Sequence, residues 1–160
     1  MDVAIKHLEA MRIAYVPHVG PYDEVWQAWG VLYKAFFVRI LFSGRNPRCF
    51  GIAYDDPAVT NPAQIRYDAC VKISSNSRPG KGISARMLEG GDYATMIHKG
   101  PYNEVGKVYA ALYGQWLPHS GYEKRDGPTL EFYLNNPRKT SPEDLLTEVY
   151  APVRKADVAG

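Results

Sequence analysis

No run of lysine or arginine occurs anywhere in the 160 residues; 19 basic and 17 acidic side chains are interspersed and leave a formal charge of +2. A basic patch that would hold nucleic acid directly is therefore not expected. Cysteine is scarce. Cys49 and Cys70 form no Cys-x-x-Cys pair, so they read as small buried apolar residues in a reducing compartment. No charged-then-apolar leader opens the chain, and a cytoplasmic location is the expectation. The longest apolar stretch, Ala35 to Phe42, is interrupted by Arg39 and falls far short of a membrane span. His7, His18, His98 and His119 show no metal-ligand spacing, so no metal site is expected. The glycines around Gly80-Lys81-Gly82 and Gly90-Gly91 lack the order of a phosphate loop, and no cofactor is expected either.

What is abundant is tyrosine: twelve, against five phenylalanines and three tryptophans. Tyrosine carries an apolar ring with a polar tip, so the surplus points to half-wet surfaces such as pockets and interfaces. The bulk composition, 46% hydrophobic and 22% charged, is that of an ordinary globular domain.

The chain repeats itself. His18-Val19-Gly20-Pro21-Tyr22-Asp23-Glu24-Val25 returns as His98-Lys99-Gly100-Pro101-Tyr102-Asn103-Glu104-Val105, at an offset of 80 residues. The offset holds without gaps beyond the motif: Leu32-Tyr33 falls on Leu112-Tyr113, Pro57 on Pro137, Thr60 on Thr140 and Pro62 on Pro142. Asp55-Asp56-Pro57 lands on Asn135-Asn136-Pro137, which keeps the turn chemistry while changing the charge. A period this long exceeds a solenoid repeat. The expectation is an α+β single domain over 1–160, built from tandem duplicated β-α-β-β units with pseudo-twofold symmetry, an antiparallel sheet with helices on one side, and a ligand groove between the halves. Repeat 1 spans about 8–73, a Ser/Gly/Pro-rich linker about 74–82, and repeat 2 about 83–153.

Within each copy the order follows from local signals. Residues 10–17 read as a strand ending at Pro17 and Gly20. Pro21 suits the first position of a helix whose apolar side is Tyr22, Val25, Trp26, Trp29, Leu32, Tyr33 and Phe36, broken by Ser43-Gly44-Arg45-Asn46-Pro47. Strands follow at Arg48 to Tyr54 and Ile65 to Ile73. The second copy opens with a strand at Ile83 to Glu89, continues with Tyr93 to His98, a helix from Pro101, a polar loop over Pro118 to Pro128, and strands at Thr129 to Asn135 and Leu145 to Val153.

Strand Thr129–Asn135 is the one that suggests chemistry, because its side chains alternate between faces. Leu130, Phe132 and Leu134 are expected to pack under a helix, and Glu131 and Tyr133 to face the groove. At the offset Glu131 corresponds to Gly51, a carboxylate in one copy and space in the other. Glu148 and Tyr150 alternate in phase on the last strand. Acid on a groove floor with aromatic walls suits an organic cation, since each cation-π contact contributes about 0.5–2 kcal/mol. Two other readings stand beside this one: Glu131 lies at a wet edge or pairs with an arginine such as Arg86 or Arg48, and the aromatics at helical spacing are core.

With these residues in view, the chain resembles the GyrI-like small-molecule-binding family, which includes effector-binding domains of AraC-type and MerR-type multidrug regulators and a free-standing DNA gyrase inhibitor. The resemblance rests on Met11-Arg12-Ile13-Ala14-Tyr15 leading into His18-Val19-Gly20-Pro21-Tyr22, and on Leu130-Glu131-Phe132-Tyr133-Leu134-Asn135-Asn136 with Thr147-Glu148-Val149-Tyr150. It implies a free-standing bacterial module that binds hydrophobic or cationic compounds, with Glu131 as acidic anchor. Tyr133, Tyr150, Glu148, Trp26, Trp29, Tyr54 and Gly51 are the other candidate ligand-binding residues. It also implies two alternatives: an inhibitor of DNA gyrase acting on a protein partner, or a hydrolase of reactive cyclopropane-containing compounds using Glu131 or Glu148 as base. Monomer and homodimer are both open.

Overall fold

The motif that repeats in the sequence is a turn locked by its own histidine. In the computed structural model, which describes residues 1–42 and 48–158, His18 Nε2 lies 3.2 Å from the Pro21 carbonyl and His98 Nε2 3.0 Å from that of Pro101. A carbonyl can only accept, so each ring carries its proton on Nε2. Between them Gly20 and Gly100 adopt φ of 143° and 136°, a region that side chains avoid. Their amides donate to Ile65 and Leu145, both at 2.9 Å. Pro21 and Pro101 then start single 3₁₀ turns, Tyr22–Glu24 and Tyr102–Glu104, that lead into the helices.

Along the chain the strands are β1 (Ala4–Leu8), β2 (Met11–Val19), β3 (Cys49–Ala53), β4 (Arg66–Lys72), β5 (Ser84–Leu88), β6 (Gly91–Lys99), β7 (Tyr122–Lys124), β8 (Thr129–Tyr133) and β9 (Leu146–Lys155). Helix α1 is Trp26–Phe42 and α2 is Gly106–Tyr109, the latter continuing as a π-helical segment, Ala110–Trp116. Pro118 lies in the 3₁₀ turn that closes it, Leu117–His119. The break expected at Ser43-Gly44-Arg45-Asn46-Pro47 lies outside the described residues.

Contacts divide the chain into two units. One is contiguous, Ala10–Glu89; the other is composite, Met1–Glu9 with Gly90–Gly160. In the contiguous unit the strands run β5-β2-β4-β3, each neighbour antiparallel. In the composite unit they run β1-β6-β9-β8, also antiparallel, with β7 added against the end of β9. The architecture is α+β, and the two units repeat one another element for element.

One assignment differs from expectation. The strand at Ile83 to Glu89, expected to open the second copy, pairs with β2 of the first. The place it would have filled beside β6 is taken by β1, a strand the hydropathy pattern did not announce because four of its five residues are exposed. Part of the polar loop after Pro118 also forms strand β7.

In each unit the strands pack a helix on one face. In the contiguous unit Ala14, Val16, Tyr67, Ala69 and Val71 meet Ala28, Leu32 and Phe36 of α1. In the composite unit Ala94, Val149, Ala151 and Val153 meet Val105, Val108 and Leu112. Turn chemistry repeats as well: Asp55 Oδ2 accepts the Arg66 amide and Asn135 Oδ1 that of Leu146, both at 2.9 Å. Asp56 and Asn136 each cap the following loop through a side-chain oxygen.

Candidate functional site

Glu131 lies directly opposite Val149 in the β8–β9 ladder, and opposed residues in a sheet share a face. Val149 packs against Val105, Val108 and Leu112. Glu131 therefore points to the helix side, which corrects the expectation that it faces away from the helix. Leu130 and Phe132, expected beneath a helix, stand opposite Tyr150 and Glu148 on the other face. The alternation of β8 was read correctly but with its faces exchanged, because Leu130, Glu131 and Phe132 are all buried and the pattern itself names no inside.

The carboxylate of Glu131 is 2% exposed, so it is not at a wet edge. Tyr109 donates its hydroxyl to Oε1 at 2.5 Å, and Tyr133 donates to Oε2 at 3.2 Å. Tyr102, at the start of the helix, meets the Tyr133 ring edge-on at 5.3 Å. Tyr113, one helical turn beyond Tyr109, shares a 2.6 Å hydrogen bond with Thr129. Burial pushes the Tyr102 and Tyr113 hydroxyls above the ordinary phenol range, so these rings stay neutral at physiological pH. Thr147, opposite Tyr133 on the same face, is 1% exposed and its hydroxyl has no hydrogen-bond partner among the described residues. The result is a buried acid among four phenols.

The contiguous unit fills the corresponding place differently. Gly51, the counterpart of Glu131, has no room for a side chain: a Cβ there would stand 2.2 Å from the Tyr67 hydroxyl. Tyr67 is fully buried, its hydroxyl accepts the Trp29 indole N–H at 3.0 Å, and Tyr22 meets its ring edge-on at 5.6 Å. The space expected at Gly51 is thus occupied by the neighbouring strand's tyrosine.

The remaining candidates are dispersed. Glu148 and Tyr150 lie on the face opposite Glu131 and are bonded to each other at 3.1 Å. Lys6 of β1 binds Glu148 at 2.5 Å and sits 5.8 Å from the Tyr150 ring centroid; that bond raises the ammonium pKa above its usual value. An open cleft of about 300 Å³ lies there, lined in part by Lys6, Thr95, Ile97 and Glu148. The repeat shows the same device in the contiguous unit, where Arg86 pairs with Asp68 and Tyr54 donates to that carboxylate. Arg86, one of the arginines considered for Glu131, is engaged there. Trp29 is bonded to Tyr67, and Trp26 is 67% exposed. Tyr102, Tyr109, Tyr113 and Thr147 were not singled out from sequence, although the offset that pairs Glu131 with Gly51 also pairs Tyr109 with Trp29 and Thr147 with Tyr67.

Among the described residues no group of three His, Cys, Asp or Glu side chains could hold a metal ion, and no helix is long and apolar enough to cross a membrane.

Residues 1–154 match the GyrI-like small molecule binding domain. The chain belongs to the GyrI-like family. It is 35% identical over 159 residues to the probable transcriptional regulator YgiV of Escherichia coli K12, covering 96% of both chains. It is 28% identical to the DNA gyrase inhibitor of Edwardsiella piscicida, covering 98% of this chain and 100% of the relative. The crystal structure of the EcmrR C-terminal domain has the same fold, with a TM-score of 0.79 at 18% identity and coverage of 97% and 98%. A GyrI-like domain is a small-molecule-binding domain, and Glu131 is the acid that this one buries on the helix side of its second copy.

Proposed function

We propose that this GyrI-like domain is a receptor for hydrophobic organic cations, with Glu131 as the anionic anchor and the rings of Tyr102, Tyr109 and Tyr133 as its walls. The observation that carries this reading is the buried Glu131 carboxylate held by two phenol hydroxyls. Phenol donors favour the charged form of a carboxylate that burial alone would disfavour, so an arriving cation completes what the two hydroxyls begin, and the faces of the same rings attract a cation through their quadrupoles. Neutral tyrosines supply no competing positive charge. Glu148, with Tyr150 on the opposite face, is already satisfied by Lys6, so it serves the stability of the sheet. In the contiguous unit Gly51 and Trp29 serve to accommodate and bond Tyr67. Trp26, on the helix of the contiguous unit, is exposed and is given no part in this site.

Calorimetric titration with a benzyl-bearing quaternary ammonium compound tests the reading. Wild-type protein should bind, and Glu131→Gln should weaken binding by about 10–100-fold, equivalent to about 1.4–2.7 kcal/mol. Equal affinity in the variant would remove Glu131 as anchor. A second reading, inhibition of DNA gyrase, is favoured by the name of the Edwardsiella relative. A supercoiling assay with purified gyrase decides it, and no inhibition at large molar excess would retire it.

A further inference from the structure

The hydroxyl of Thr147 is buried on the helix-side face of β9 without a hydrogen-bond partner among the described residues. Burying such a group unbonded costs free energy that a valine of the same shape would not incur. The fold does not require threonine here, because the counterpart position in the contiguous unit holds Tyr67, whose hydroxyl is bonded to Trp29. In the ladder Thr147 stands opposite Tyr133 on one side and His98 on the other, and Glu131 is its diagonal neighbour across β8. His98 is turned to the Pro101 carbonyl through Nε2. Glu131, two residues from the ladder partner of Thr147, is thus an acid that shares its face.

We infer that Thr147 is a second polar contact of the Glu131 site and that it makes the site prefer cations bearing an N–H over fully substituted ones. The inference rests on the cation-receptor reading above. A protonated amine carries both positive charge and a directional donor, so its N–H can donate to the Thr147 hydroxyl while its charge is met by Glu131 and the surrounding rings. A quaternary cation offers charge and surface alone and leaves the hydroxyl unmet. Tyr133, half-buried and directly across from Thr147, holds Glu131 by the longer of the two phenol bonds. Its ring is the one that turns aside when the ligand enters.

The test uses a matched pair, benzyldimethyloctylammonium and protonated benzylmethyloctylamine, which differ by one N-methyl against one N–H. Dissociation constants are measured by calorimetry at pH 7 for wild type, Thr147→Val, Thr147→Ser and Glu131→Gln. Wild type should favour the tertiary amine about tenfold. Thr147→Val should bring the pair within about threefold by weakening the amine alone, with no loss of thermal stability, and Thr147→Ser should restore the preference. A preference that survives Thr147→Val, or an equal loss for both cations, overturns the role of Thr147 while leaving the anchor intact. Failure of wild type to bind either cation, or indifference of both to Glu131→Gln, brings down the cation site and this inference with it.

Discussion

In the contiguous unit the hollow under the helix holds a phenol; in the composite unit it holds a carboxylate. Tyr67 reaches across from β4 into the room left by Gly51, with Ala53 small beside it, and its hydroxyl takes the Trp29 indole proton. In the other unit the ring comes from β8 instead: Tyr133 replaces Ala53, Thr147 replaces Tyr67, and Glu131 replaces Gly51. Both versions place an edge-on tyrosine pair at the helix start, Tyr22 with Tyr67 and Tyr102 with Tyr133. Both also put an oxygen beneath an aromatic donor of the helix, Trp29 or Tyr109. The comparison shows how duplication lets one copy close its hollow with a phenol while the other places a carboxyl group there, without altering the order of the four shared strands.

The strongest way to break this comparison is to force the two fillings together. Gly51→Ala should destabilise the protein by about 3 kcal/mol, the upper range for overpacking, since the new methyl meets the Tyr67 ring rather than a flexible chain end. Adding Tyr67→Thr should recover part of that loss, so urea unfolding of the double variant will show marked non-additivity. Additive losses would mean that Tyr67 does not fill the glycine's space.

Next in size is Tyr109→Phe, which removes a donor from a buried acid. It should cost about 2 kcal/mol, in the range for hydrogen bonds to charged groups, and weaken cation binding. Trp29→Phe removes the corresponding donor from a neutral phenol and should cost about 1 kcal/mol. The two variants measured side by side sharpen the contrast. Equal losses would show that the charge on Glu131 does not distinguish the copies.

The smallest effect concerns the turns. Asp55 accepts three bonds from Arg66, and these hold its carboxyl below the ordinary value, whereas its counterpart Asn135 cannot titrate. A depressed folded-state pKa means stability that is present above the unfolded value of about 3.9 and lost as pH falls through the folded one. Asp55→Asn should therefore lower the melting temperature slightly at pH 7, and the difference should shrink as pH falls below about 4. A difference independent of pH would point to the lost geometry rather than the charge.

Much of this was legible because it is local. The His-x-Gly-Pro-Tyr turns and the Asp/Asn caps are encoded within a few residues of where they act, and the 80-residue offset shows each of them twice. Glu131 could be singled out as a candidate because it interrupts an apolar strand whose counterpart has glycine. Its face could not, since both sides of β8 are buried and only the register with Val149 decides between them. The Lys6–Glu148 pair spans 142 residues and depends on β1 crossing to the second copy, a connection that no hydropathy pattern reports. The offset nevertheless held a clue, since it maps Lys6 onto Arg86 and Glu148 onto Asp68.

The exchange of edge strands also fixes an order of events at the ribosome. Residues 10–89 form a continuous stretch that contains every strand of its own sheet, so that unit can close once this stretch has emerged. The strand at Ala4–Leu8 is made before that stretch yet has its partner at Gly91–Lys99, which is made after it. At synthesis rates of about 5–20 residues per second, the opening residues of the chain wait several seconds with an unpaired edge before their neighbour exists. The composite unit is therefore completed after the contiguous one, because the strands that compose it flank that one in the chain.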